Sequence, residues 1–158
     1  MTAVLPEPMR LALAEARAAA EADEVPVGAV VTRGGEIVAS GRNRMRTDGD
    51  PTAHAEIVAL RAAGAALGTS RLDGCELWVT LEPCAMCAGA IAVARIARLH
   101  FAAADPKGGA VLHGPRLFGQ PTCHHRPEVE HGEGEEEAAA LLRDFFKARR
   151  PARPPSPE

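Results

Sequence analysis

His54-Ala55-Glu56 and Pro83-Cys84-Ala85-Met86-Cys87 are the two stretches on which the reading of this chain turns. Together they offer an imidazole, two thiols and a carboxylate, with no obvious fourth ligand. Structural zinc sites usually close their shell with four protein side chains, whereas hydrolytic sites leave one position open for water. The pairing therefore points to a catalytic metal centre. Two thiolates cancel the charge of a divalent zinc ion and neutral His54 is a third ligand, which leaves Glu56 free to move protons.

The flanking residues say how two separate stretches can meet. Pro83 at the first helical position would place Cys84 and Cys87 three apart in an opening turn, on one helical face. A helix N-terminus and a metal both favour thiolate over thiol. His54 and Glu56 are two apart and do not face each other within a regular helix, so they share a site only at a helix start. The turn-forming Asp50-Pro51-Thr52 just upstream supplies that start. Two helix N-termini facing each other across a metal are expected.

Working outward, Pro6 and Pro8 open a first helix that runs to about residue 22. Val25 to Val31 reads as a strand, Gly34-Gly35 as a hairpin turn and Glu36 to Ser40 as the returning strand. Residues 41–51 are polar with Gly and Pro and read as a loop. Thr52 is placed to cap a second helix from Ala53 to Leu67, with Ile57, Leu60 and Ala63 or Gly64 on one face. A third strand covers Cys75 or Glu76 to Thr80, a third helix Pro83 to Arg95, and a fourth strand Arg98 to Ala103. Between 106 and 132 the pattern dissolves, with at most one short strand or helical turn. A last helix spans Gly134 to Arg150, acidic at its start and basic at its end, as the helix dipole favours. Helices and strands alternating around one sheet argue a three-layer α/β domain.

A chain of 158 residues, 46% hydrophobic and 25% charged, fits one soluble globular domain. One domain over 1–150 and a disordered Pro-rich tail over 151–158 are expected. With four Phe, one Trp and no Tyr, the core must rest on Ala, Val, Leu and Ile. The net charge of -3 gives no broad basic footprint for nucleic acid, though local clusters matter more than the sum. Two of the four cysteines stand in a C-x-x-C beside a His-containing motif, so metal binding is read in preference to disulfides. Residues 1–22 lack the apolar stretch of a secretory signal and no run is long enough to span a membrane, so a cytoplasmic setting is expected.

The ordered combination His-x-Glu followed by Pro-Cys-x-x-Cys is the pattern of the zinc nucleobase deaminases. From about Glu24 to Arg150 the chain resembles the bacterial tRNA-specific adenosine deaminases, a branch of the cytidine deaminase-like superfamily. The resemblance is carried by Val25 to Val30 (VPVGAV), Asn43-Arg44, Asp50 to Ile57 (DPTAHAEI), Val79 to Ile91 (VTLEPCAMCAGAI), Asp105, and Asp144 to Arg150 (DFFKARR). It implies an α/β/α fold with a central mixed sheet, Zn2+ bound by His54, Cys84 and Cys87, and Glu56 as proton shuttle. It further implies that the Ala55 amide and a wall of Val27, Leu81 and Pro83 hold the target base, and that Asn43 hydrogen-bonds the nucleotide. Asp105 and Lys107 would touch the flanking loop, and the end of the last helix, around Phe146 and Arg149, would contact the tRNA anticodon stem-loop. The reaction implied is adenosine to inosine at the wobble position with release of ammonia, carried out by a homodimer. The chain departs from the family at His124-His125-Arg126-Pro127-Glu128, where Pro127 makes any strand edge-like or broken.

Plainer readings stand beside these. Asn43 between arginines suits a turn, and Arg42, Arg44 and Arg46 suit a solvated loop. Helical spacing places Phe145 with Leu141 and Leu142 in the core and leaves Phe146 for RNA. Cys123, His124 and His125 lack a matching distal ligand pair and read as surface, while Cys75 reads as a small buried hydrophobe. Two other functions compete: a deaminase of free guanine, cytosine or nucleosides using the same chemistry, and a non-catalytic zinc-binding module. Glu56 argues against the second, since a structural site needs no proton shuttle.

Overall fold

Alternation along Cys75–Leu81 builds the central strand. Cys75, Leu77 and Val79 are buried on one side of the sheet, and Trp78 and Thr80 lie on the other. In the computed structural model, which describes residues 4–149, this strand (β3) is the middle of a five-stranded sheet ordered β2-β1-β3-β4-β5. The other strands are β1 (Gly28–Arg33), β2 (Glu36–Arg42), β4 (Arg98–Ala103) and β5 (Glu128–His131). β1 runs antiparallel to both β2 and β3, whereas β3, β4 and β5 are parallel, so the sheet is mixed.

Helix α1 (Glu7–Glu21) buries Met9, Ala12, Leu13, Ala16 and Ala19, a stripe of helical period, against one face of the sheet. α5 (Glu135–Arg149) joins it there through Ala138. The opposite face carries α3 (Ala55–Leu67) and α4 (Ala85–Ala94), whose Ala55, Ala59, Ala63, Ala88 and Ile91 share a core with Leu77, Val79, Leu99 and Phe101. The result is the three-layer α/β/α arrangement with a central mixed sheet. One glycine on each side sets the closeness of the layers. A Cβ on Gly28 would lie 2.0 Å from the Ala12 carbonyl oxygen, and one on Gly41 would lie 2.7 Å from the Ala59 nitrogen.

Several boundaries differ from the sequence reading, each for a local reason. β1 begins at Gly28, beyond Pro26, which has no N–H for the ladder. Thr52 does not cap the second long helix. Its hydroxyl donates to Asp50 Oδ1 at 2.8 Å, and α3 starts two residues later with His54 as N-cap. Pro83 is likewise outside its helix, with Cys84 as the N-cap of α4. The 106–132 segment holds both a 3-10 turn (Leu117–Gly119) and the edge strand β5, which starts directly after Pro127. The Pro-rich tail expected at 151–158 lies outside the described residues.

The expected loop at 41–51 contains a one-turn helix, α2 (Met45–Asp48), held by a residue more than twenty positions upstream. Glu24, 2% exposed, accepts the Arg46 and Thr47 amides at 3.1 and 2.7 Å and the Thr47 hydroxyl at 2.7 Å. Burial pushes the Glu24 carboxyl up, but the Thr47 and Arg46 hydrogen bonds outweigh it and hold the group below its ordinary 4.5. The unfolded chain therefore takes up this proton more readily than the folded one. The stabilisation is complete above about pH 4.5 and is lost as the pH falls through the depressed folded value. Melting temperatures measured from about pH 6 down to about pH 3 should fall below about pH 4.5, and less steeply in Glu24→Gln. Equal slopes in the two proteins would contradict this assignment.

Candidate active site

Residues at helix N-caps usually turn their side chains back to satisfy the first amides. His54 and Cys84 cap α3 and α4 in extended backbone conformations, yet neither side chain makes a capping hydrogen bond. They turn toward each other instead. His54 Nδ1 lies 3.6 Å from Cys84 Sγ and 3.5 Å from Cys87 Sγ. Among the described residues these three alone form a group of metal-ligating side chains, with all ligand atoms within 4.8 Å of one another.

The donor set fits zinc by a geometric test. Zinc–sulfur and zinc–nitrogen bonds of roughly 2.3 and 2.05 Å at tetrahedral angles give a nitrogen-to-sulfur edge of about 3.6 Å. The observed 3.5 and 3.6 Å edges match it. Cys84 is the more acidic thiol, lowered to about 5 by the hydrogen bond from Cys87 against the effect of burial. Cys87, which gives up that hydrogen and is fully buried, is pushed up.

Glu56 lies in the first turn of α3, 4% exposed, and is not part of the ligand group. Burial raises its carboxyl to about 7. That value suits a group which must both accept and release a proton near neutral pH. The structure thus brings together the four residues singled out first from the sequence.

Residues 6–150 match the MafB19-like deaminase family. The tRNA-specific adenosine deaminase of Agrobacterium fabrum is 57% identical over 142 residues, which cover 90% of this chain and 93% of that protein. The chain belongs to the tRNA-specific adenosine deaminases. A solved structure from work on A-to-I editing by tRNA:A34 deaminases at the wobble position of transfer RNA superposes with a TM-score of 0.85 at 57% identity, covering 85% of this chain and 98% of that one. The guanine deaminase of Nitrosomonas europaea shares the fold more distantly, with a TM-score of 0.73 at 31% identity over 93% of this chain and 87% of that one.

In this deaminase the residues expected to meet substrate divide. Leu81, Asp105 and Phe146 come from β3, the loop after β4 and the end of α5. They line one cleft of about 400 Å³ with Val25, Ala104 and Leu142. Phe145 is buried and Phe146 is 47% exposed, as the helical spacing requires. Val27 is buried and its carbonyl accepts the Asn43 amide at 3.2 Å, Pro83 is buried beside Cys84 in the chain, and Lys107 is exposed. The Ala55 amide is not open to a base: it donates to Asn43 Oδ1 at 2.8 Å. Asn43 is itself 6% exposed, and its Nδ2 donates to the Val25 carbonyl at 3.0 Å. This side chain ties the start of α3 to the segment before β1, which makes it more than a turn residue.

Arg149 is also engaged within the deaminase. Its guanidinium stands over the Phe145 ring at 3.6 Å and pairs with Asp23 Oδ1 at 2.6 Å. A contact from Arg149 to the anticodon stem-loop would have to compete with Asp23. The Arg42, Arg44 and Arg46 cluster is similarly paired, with Glu15, Asp48 and Asp23. Cys123 Sγ donates to the His125 carbonyl at 3.2 Å and belongs to no ligand group.

One residue beside the site escaped the sequence reading. Glu82 lies between Leu81 and Pro83 with its side chain fully buried, and its carboxylate gathers donors from the loop that follows β4. Its place inside the Leu-Glu-Pro-Cys stretch was visible, but the donors are more than twenty positions away.

Proposed function

We propose that this deaminase hydrolyses adenosine to inosine, with release of ammonia, at the wobble position of a tRNA anticodon stem-loop. The observation that carries the reading is the three-ligand group of His54, Cys84 and Cys87 with the buried carboxylate of Glu56 outside it. Those three residues would hold zinc, which when bound supplies the Lewis acidity that makes water nucleophilic at neutral pH. Glu56 takes one proton from the attacking water and delivers it to the purine ring nitrogen, then relays the water's second proton to the amine, which leaves as ammonia when the C6–N bond breaks. Val27, Leu81 and Pro83 wall the target base, and Asn43 fixes the start of α3 and offers its remaining Nδ2 hydrogen to the nucleotide.

The cleft that joins Leu81, Asp105 and exposed Phe146 supports a substrate larger than a free base. An aromatic face there can stack an unpaired nucleotide of the loop, and Lys107 beside it can meet a phosphate. A homodimer is supported by α4, which leaves Met86 38% and Val93 79% exposed on its outer side. No described helix is long and apolar enough to cross a membrane, and a tRNA substrate accords with a cytoplasmic setting.

The test is an assay of purified protein against an anticodon stem-loop with wobble adenosine and, separately, against free guanine, cytosine and adenosine. Inosine in the stem-loop alone is expected. Turnover of free bases only would favour the chemistry of the Nitrosomonas guanine deaminase and sink the tRNA reading. Inactivity throughout, with zinc bound, would leave a non-catalytic module.

A further inference from the structure

The segment from Asp105 to His113 makes little regular structure, yet its shape is closely determined. Glu82 Oε1 accepts the Asp105 amide at 3.0 Å and pairs with His113 Nδ1 at 2.8 Å. Glu82 Oε2 accepts three successive amides, those of Val111, Leu112 and His113, at 3.1, 3.0 and 3.2 Å. Three consecutive N–H groups turned on one oxygen form a nest for negative charge. Both ends of the loop are therefore fastened to a single buried carboxylate.

The packing around that carboxylate admits no side chain. A Cβ on Gly109 would stand 2.4 Å from Glu82 Cδ and Oε2. Within the loop, Asp105 Oδ1 accepts the Lys107 and Gly108 amides at 3.1 and 2.9 Å, so the orientation of Lys107 follows from that of Asp105. At its other end Glu82 is part of the metal-ligating stretch. Its own amide donates to the Ala103 carbonyl at 2.8 Å, and the Pro83 carbonyl next to Cys84 accepts the Ala110 amide at 2.9 Å.

We propose that Glu82 is a positioning residue for the tRNA substrate. Its carboxylate shapes the 105–113 loop so that Asp105 and Lys107 stand at a fixed place beside the ligand-bearing start of α4. The inference rests on the reading above that these two residues touch the anticodon loop. Glutamine at 82 fits the same space but presents an NH2 group to one set of donors, so part of the loop is released while the rest of the fold is kept.

The experiment compares zinc-loaded wild type with Glu82→Gln for zinc per chain, amide hydrogen exchange, and kcat and KM on the wobble-adenosine stem-loop. Zinc content is expected to be unchanged. Protection should be lost at residues 105 and 111–113 but kept in α3 and α4, with KM raised about tenfold and kcat changed far less. Gly109→Ala, which keeps the carboxylate but forces the loop off it, should reproduce the KM defect. Asp105→Ala should raise KM in the wild-type background and add little to Glu82→Gln, the non-additivity of residues acting as one unit. A fall in kcat at unchanged KM, or zinc lost in step with activity, would overturn the proposal. Unchanged exchange protection in Glu82→Gln would overturn it independently of any activity. A wild type inactive on the stem-loop would instead defeat the functional reading, and the exchange result would still decide whether Glu82 shapes the loop.

Discussion

Glu56→Gln should bind zinc as wild type does and lose deamination, with kcat lower by about 10²- to 10⁴-fold or more. Glutamine fills the same buried volume but cannot accept the water proton or carry it to the departing amine. His54, Cys84 and Cys87 form their group without this side chain, so metal content is not expected to fall. Stability should move the other way. Burial raises the Glu56 carboxyl to about 7, so the folded state holds this proton more tightly than the unfolded chain. Ionising it above that pH costs folding free energy, a cost that neutral glutamine does not carry. Metal-stripped Glu56→Gln should therefore melt at or above the temperature of stripped wild type at about pH 8. A catalytic group kept at some expense to the fold is a familiar trade between activity and stability. A variant that lost zinc along with activity would place Glu56 in the metal shell and contradict the assigned role.

Removing the metal, or one of its ligands, should cost stability as well as turnover. His54 caps α3 and Cys84 caps α4, and these helices cover the same face of the sheet. An ion bound between them ties two helix starts together and adds its binding free energy to folding. At a thousandfold excess over its dissociation constant a ligand adds about 4 kcal/mol. For a domain of this size that is a melting shift of about 10 °C. Chelation should lower the melting temperature by about that amount, and zinc should restore it together with activity. Cys87→Ser should lose the zinc-dependent part of the shift and all detectable turnover. A chelated protein with an unchanged melting temperature would mean that the group binds no metal under those conditions.

How far the sequence carried the argument depends on how local each feature is. β4 was legible to the residue because Arg98–Ala103 alternates Leu99 and Phe101 with Arg98 and His100 and closes ahead of the turn-forming Asp105-Pro106. α5 was legible from its acidic first turn, basic last turn and helical stripe. The ligand group was legible because the chemistry restricts both residue types and spacing. Thr52 and Pro83 misled, since each is a good helix starter by composition, yet the chain puts His54 and Cys84 at the caps, where their side chains meet across the site. α2 was missed because its first amides are satisfied by Glu24, far away in the chain. The same reason hid Glu82, whose partners lie between 105 and 113. Arg149 looked free from sequence, but Asp23 is 126 positions away and only the packing of α1 against α5 brings them together. Periodicity reports burial along one element. It is silent on a carboxylate that organises another.

The most direct test of the account is X-ray absorption at the zinc edge on the metal-loaded protein. A centre built by His54, Cys84 and Cys87 predicts two sulfur neighbours and two nitrogen or oxygen neighbours, with the fourth neighbour exchangeable for solvent ligands. A shell of three or four sulfurs, or a second histidine in place of exchangeable solvent, would show a closed structural site and contradict the catalytic reading.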